Sequence, residues 1–271
     1  MRLDKPIGIW LLMWPCWWSL ALASNGLPQP YMLALFALGA LVMRSAGCIV
    51  NDLADRKIDI KVERTKTRPL ASGAITPYQA VACIGFLLAI ALLIALQLHP
   101  NLLFWAIGSL GFVVAYPFMK RITWWPQAFL GFTFNIGALF GWIAIHGEPA
   151  SVVWLLYIAG IFWTIGYDTI YAHQDIEDDL RIGVKSTAIR FGKHSRLAIG
   201  ICYGLMLLAL VGVGLIAQLN WYYYAGLGLI GTHLLWQVLT ADLQNPASCL
   251  TRFKSNQWLG LILFATISIS Y

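Results

Sequence analysis

The sequence predicts an all-α, polytopic membrane protein with nine transmembrane helices. Three observations carry this. Apolar runs of roughly 20 residues, the length that crosses a bilayer, recur along the 271 residues. Only 11% of the residues are charged and 59% are hydrophobic, where an ordinary soluble domain is about 25% charged. The connections between the apolar runs alternate strictly between uncharged and charged. Together these exclude a soluble enzyme, a disordered chain and a disulfide-stapled secreted scaffold.

The nine expected helices run 7–24, 31–50, 78–98, 101–118, 126–146, 151–172, 196–218, 221–241 and 256–271, within a single domain, 1–271. The chain opens at Met1-Arg2-Leu3-Asp4-Lys5, almost inside the first of them, and no cleavable signal peptide is expected ahead of it. The links 24–30, 98–101, 146–150 and 217–220 are short and nearly uncharged. The N-terminus and the segments 51–77, 119–125, 173–196 and 242–255 hold every Lys and Arg except Arg44. By the positive-inside rule that side is cytoplasmic, with the N-terminus inside and the C-terminus outside. The net charge of +6 therefore reads as topology, and no nucleic-acid partner is implied.

Other features read as structure. The five cysteines show no CxxC spacing and behave as small apolar residues. Trp14, Trp17, Trp18, Trp124, Trp125 and the run Trp221–Tyr224 suit an interfacial aromatic belt. The Gly137-x-x-x-Gly141 spacing suits close helix packing.

The chemistry sits in two acidic clusters. The first contains Asn51, Asp52, Asp55 and Asp59, with Arg44 seven residues before Asn51. At about 100° per residue, Arg44, Asn51, Asp55 and Asp59 share one helix face. The second contains Asp168, Tyr171, His173, Asp175, Asp178 and Asp179. On a continuous helix, Asp168, Asp175 and Asp179 would align within about 40°. Each Asp-x-x-x-Asp is followed by a basic run, and four spans separate the copies. This is a weak parallel repeat of helices 1–4 and 5–8.

A row of carboxylates repels itself unless a cation sits there. Mg²⁺ takes hard oxygen ligands, usually one or two carboxylates completed by substrate phosphate oxygens. Two facing clusters, with Lys and Arg beside them, fit a Mg²⁺-bridged diphosphate. A single such row would more simply be a charged cytoplasmic loop. Arg44 is the basic residue inside a span, where charge is costly and points to function. It either pairs structurally with Asp168 or offers its guanidinium to an anionic ligand group.

The run Asn51-Asp52-x-x-Asp55-x-x-x-Asp59 resembles the NDxxDxxxD signature of the UbiA superfamily of intramembrane prenyltransferases, and Asp175-x-x-x-Asp179 resembles its second signature. Arg2–Gly8, Arg64–Leu70, Tyr116–Arg121 and Gly183–Ala188 extend the likeness over essentially the whole chain. They favour the branch that prenylates 4-hydroxybenzoate in ubiquinone synthesis. The resemblance implies a nine-helix bundle around a central cavity with a cytosolic cap, embedded in membrane lipid, in a bacterial inner membrane. It implies Mg²⁺ held by Asp55, Asp59, Asp175 and Asp179, with Asn51, Asp52 and Asp168 in support. Arg64, Arg68, Lys120, Arg121 and Lys185 would contact the diphosphate of a polyprenyl diphosphate, and Arg44 would meet the carboxylate of 4-hydroxybenzoate. Asp168, Asp178 and Tyr171 are candidates for a base acting on the phenol. Three rivals stand beside this reading. One is a superfamily member with a menaquinone- or haem O-type acceptor. The others are a cation transporter and a non-catalytic prenyl-lipid scaffold.

Overall fold

The computed structural model describes residues 3–60 and 65–271, and these are helices and connections with no strand among them. In chain order the helices are α1 (Ile7–Ala23), α2 (Pro30–Asp59), α3 (Pro77–Ala95), α4 (Pro100–Ile122), α5 (Pro126–Asn135) and α6 (Gly137–His146). There follow α7 (Ser151–Ala172), α8 (Ile176–Ile182), α9 (Thr187–Phe191), α10 (Ser195–Ile216), α11 (Trp221–Thr240) and α12 (Pro246–Ser268). Proline opens α2, α3, α4, α5 and α12, where its fixed φ suits the first turn and its missing N–H would have no helical partner anyway. Thr76 and Gln79 close a reciprocal capping box at the start of α3.

Several expected boundaries move. Helix α2 runs on to Asp59 instead of ending near residue 50. Its added turns are polar, and Arg56 and Lys57 in the last turn complement the negative end of the helix dipole. Helix α12 starts ten residues early, because Asn245 accepts from the N–H groups of Ala247 and Ser248 and caps it. Residues 126–146 form two helices that break at Ile136. Asn135, at the break, donates Nδ2 to Gly131 O and to Thr164 Oγ1 of α7. The expected alignment of Asp168 with Asp175 and Asp179 fails as well. Helix α7 stops at Ala172, and a 3-10 turn over His173–Asp175 intervenes before α8.

Six stretches are long and apolar enough to cross a membrane: Pro30–Asp59, Pro77–Ala95, Pro100–Ile122, Pro126–His146, Ser151–Ile182 and Thr187–Ile216. Of the other three expected spans, α1 is 17 residues long, and α11 and α12 carry polar residues along their length. Those residues pair with each other. Asn256 Oδ1 accepts from Trp163 Nε1 and from Gln237 Nε2, and Tyr203 donates to Gln237.

The main core joins α1, α6, α7, α10, α11 and α12, with Trp18 and Trp163 fully buried and their rings 5.1 Å apart. Small residues let the helices approach, as lipid-embedded packing requires. Gly137 and Gly141 of α6 sit on Cys16 of α1, and Gly260 of α12 sits under the Trp14 ring. Helices α3 and α4 lie at the edge of this core, which α4 joins through Leu102. Helix α3 packs mainly against α2, and α4 against α5, α2 and α6; they expose Phe86, Leu93, Phe104 and Val114, an apolar surface suited to hydrocarbon.

Candidate active site

The carboxylates of α2 are not left to repel one another. Asp55, whose side chain is 1% exposed, pairs through Oδ2 with Lys120 Nζ and through Oδ1 with Arg121 Nη2 at 3.2 Å. Asn51, one turn earlier, donates Nδ2 to Asp55 Oδ2 at 3.2 Å. Arg68 places Nη1 2.7 Å from Asp59 Oδ2 and 3.3 Å from Asp52 Oδ1. Arg121 also donates to the carbonyl of Ala54 at 2.6 Å, which locks the end of α4 beside α2. Three cations from two other segments thus line the acid row. Arg64 lies outside the described residues.

Asp175 ends the 3-10 turn, and Asp179 lies in α8; both are half-buried. Gly183, at φ 72°, ends α8 in the left-handed region that glycine tolerates, and Val184 N–H returns to Asp179 O. The next residue, Lys185, donates its backbone N–H to Lys120 O and its Nζ to Ile122 O. Its ammonium also lies 5.6 Å from the Trp124 ring centroid. Lys185 therefore staples the α8–α9 segment to the end of α4, and it does not line the cavity described next. Asp178 points to Arg181 at 3.6 Å on the exposed side of α8.

A cavity of about 850 Å³ opens between the helices, lined by residues of α1, α2, α3, α4, α5, α6, α7 and α12. Arg44 and Asn51 enter it from α2, Tyr116 from α4, and Tyr167, Asp168 and Tyr171 from α7. Much of the remaining wall is apolar, including Leu88 and Leu92 of α3, Leu103 and Ile107 of α4 and Phe134 of α5. Tyr116 is within electrostatic reach of Arg44, Asp55, Asp168 and Tyr171, and Asp168 of Arg44 and Asp175. The cavity thus ends where both acidic segments begin.

The structural pairing of Arg44 with Asp168 is not among the ion pairs of the described residues. The Arg44 guanidinium instead lies over Phe134, 5.6 Å from the ring centroid, and against Gly8 of α1. Among the described residues no three Asp, Glu, His or Cys side chains converge as a ready-made metal site. The donors nevertheless suit Mg²⁺. They are hard carboxylate oxygens beside Arg68, Lys120 and Arg121, and Mg²⁺ takes few protein ligands when phosphate completes its shell.

Sequence reasoning missed Tyr116, Gln174, Lys254 and Gln257 as cavity residues. Lys254 was hidden because 242–255 reads as a loop. The Asn245-Pro246 pair was the available signal that a helix starts there.

The model of the UbiA prenyltransferase family matches residues 12–264. The chain is 50% identical over 270 residues to the mitochondrial 4-hydroxybenzoate polyprenyltransferase of Arabidopsis thaliana, covering 98% of this chain and 66% of that one. It is 48% identical to the human mitochondrial 4-hydroxybenzoate polyprenyltransferase, at 98% and 73% coverage. It is 49% identical to 4-hydroxybenzoate geranyltransferase 1 of Lithospermum erythrorhizon, at 98% and 87% coverage. The apo structure of a UbiA homolog from Aeropyrum pernix K1 superposes with a TM-score of 0.83 at 25% identity, covering 98% of both chains. A UbiA homolog from Archaeoglobus fulgidus, solved with GPP and Mg²⁺, shares the fold at a TM-score of 0.71 and 19% identity, covering 99% of both chains. The chain is therefore an integral membrane protein that belongs to the UbiA prenyltransferase family.

Proposed function

We propose that the protein transfers a polyprenyl group from polyprenyl diphosphate to ring carbon 3 of 4-hydroxybenzoate and releases diphosphate. The observation that carries this reading is the junction of two unlike environments. An apolar cavity holding the half-buried Arg44 meets a row of carboxylates backed by Arg68, Lys120 and Arg121. Relatives that cover nearly all of this chain are named for that acceptor.

The chain's own groups divide the work. Arg68, Lys120 and Arg121 bind the diphosphate, and their fixed positive charge stabilises the negative charge that develops as the C1–O bond breaks. Asp55, Asp59, Asp175 and Asp179, with Asp52 and Asn51 beside them, would hold Mg²⁺. When bound, the ion supplies further charge neutralisation to the leaving group. The apolar walls hold the tail and keep water from the allylic carbon. Arg44 holds the acceptor's carboxylate, which turns the ring toward that carbon. The bonding electrons of C1–O leave with the diphosphate, ring carbon 3 bonds to C1, and the ring then loses its proton. Asp168 and Tyr171 line the cavity, and Asp168 is the group we assign to proton removal.

We place the chain with nine spans, the Lys- and Arg-rich side cytoplasmic and the loops of that side capping the cavity. The charge asymmetry supports this orientation. The expected bacterial inner membrane stands beside relatives named as mitochondrial, and locating the native protein decides between them.

The test is an acceptor competition in membranes with Mg²⁺, a prenyl diphosphate and 4-hydroxybenzoate set against menaquinone- and haem O-type acceptors. The expected product is 3-polyprenyl-4-hydroxybenzoate. Consumption of another acceptor while 4-hydroxybenzoate stays untouched overturns the assignment.

A further inference from the structure

The charged residues on the cavity wall are Asp4, Lys5, Arg44, Asp168 and Lys254. Arg44 and Asp168 are sheltered, whereas Asp4, Lys5 and Lys254 are exposed to the outside while still lining the cavity. These three therefore mark an opening, and their positions locate it. Helices α1 and α12 run parallel, with Gly260 at Trp14 and the Tyr271 hydroxyl on Leu22 O. That register brings the start of α1, Pro6–Gly8, level with Phe253–Gln257 of α12. At Trp14 the two helices touch too closely for a gap; toward the start of α1 both turn side chains into the cavity.

Helix α12 presents Leu250, Phe253, Lys254 and Gln257 to the cavity, the spacing of one helix face. Phe253 packs on Tyr171, ring centroids 4.5 Å apart, which fixes the turn that carries Lys254. Lys5 has Asp4 beside it in the chain. Lys254 has no carboxylate among the ion pairs of the described residues. On another side the exposed residues lining the cavity are apolar, Leu92 of α3 and Ile107 of α4. An anion gains nothing there.

We infer that Lys254 draws the acceptor's carboxylate into the cavity through a polar opening between the starts of α1 and α12, and so makes an anionic acceptor the preferred one. The inference rests on the prenyl-transfer reading above. Lys254 acts on arrival and Arg44 at the bound position, so the two cations divide one recognition task. An exposed lysine works through long-range attraction, which raises association rates on the order of 10-fold or more and is screened by salt.

The experiment measures KM separately for 4-hydroxybenzoate and for the prenyl diphosphate, at low and high ionic strength, in Lys254→Glu, Lys254→Gln and Lys254→Arg. For Lys254→Glu the acid's KM should rise on the order of 10-fold while the donor's KM stays within about twofold. Lys254→Gln should fall between, and Lys254→Arg should match the parent protein. At about 1 M salt, where the screening length is about 3 Å, the differences should collapse. An unchanged acid KM, equal rises for both substrates, or a difference that survives high salt overturns the inference. If Lys254→Glu does not accumulate, the Gln and Arg variants decide by the same criteria. Failure of the parent protein to prenylate 4-hydroxybenzoate would instead refute the functional reading.

Discussion

Arg44 of α2 holds its guanidinium against Gly8 of α1, in the space that a Cβ on Gly8 would occupy. The absence of a side chain at Gly8 is thus part of how the cavity's half-buried cation is aimed. Gly8→Ala separates function from folding. Alanine is the better helix former by about 1 kcal/mol, and the atoms it displaces are the flexible end of Arg44. The variant should therefore insert with an unchanged or raised Tm, yet show a KM for the aromatic acid raised on the order of 10-fold, with the donor's KM unmoved. Wild-type kinetics in Gly8→Ala would remove Arg44 from acceptor recognition.

Asp55 carries two cations on one buried carboxylate. Asp55→Asn should lower prenyl transfer on the order of 100-fold or more, and added Mg²⁺ should not restore it. It should also destabilise the protein, because it leaves Lys120 and Arg121 without the carboxylate that neutralises them. The double variant Asp55→Asn/Lys120→Met removes the more sheltered of the two cations and leaves Arg121, which is 40% exposed, to water. Its thermal stability should recover while its activity does not. Recovery of both together would make Asp55 a structural residue alone.

The cavity divides the three carboxyl and phenol candidates for the base. Asp168 and Tyr171 line it, whereas Asp178 faces Arg181 on the outside of α8. Asp168→Asn should cut kcat by about 10²–10⁴ and leave both KM values near those of the parent. Asp178→Asn should stay within about twofold on all three. A normal kcat in Asp168→Asn would move proton removal to Tyr171 or to water.

What the sequence made legible follows from how each signal arises. The alignment of Arg44, Asn51 and Asp55 was readable because α2 continues unbroken past them, so helical spacing alone places the first two in the cavity and joins Asn51 to Asp55. The same arithmetic failed for Asp168 and Asp175. The 3-10 turn at His173–Asp175 resets the phase, and no Pro or Gly marks it. The partners of the acid row were unreadable for a different reason. Arg68 lies nine residues from Asp59 and Lys120 lies 65 from Asp55, neither at a helical spacing, and only tertiary packing shows which cation meets which carboxylate. Lys254 was hidden by its composition. Arg252, Lys254 and Asn256 dilute an apolar pattern that Trp163, Gln237 and the cavity make affordable inside the bundle.

The Gly137-x-x-x-Gly141 spacing gives the remaining prediction. A Cβ on Gly141 would lie 2.5 Å from the Cys16 carbonyl oxygen and 2.8 Å from Leu20 N. Both are backbone atoms of a helix, so no rotamer change relieves the clash, and α1 has to move off α6. Overpacking of this kind costs about 1–3 kcal/mol, more than the helix propensity alanine gains. Gly141→Ala should therefore lower Tm in detergent. Gly228→Ala, where a Cβ meets nothing within 4 Å, should not. Because α1 carries Gly8 to the cavity and is preceded by Lys5 and Pro6, the displaced helix should raise the aromatic acid's KM more than the donor's. A Tm loss with unchanged kinetics would show that the α1–α6 contact holds the bundle together without setting the acceptor end of the cavity.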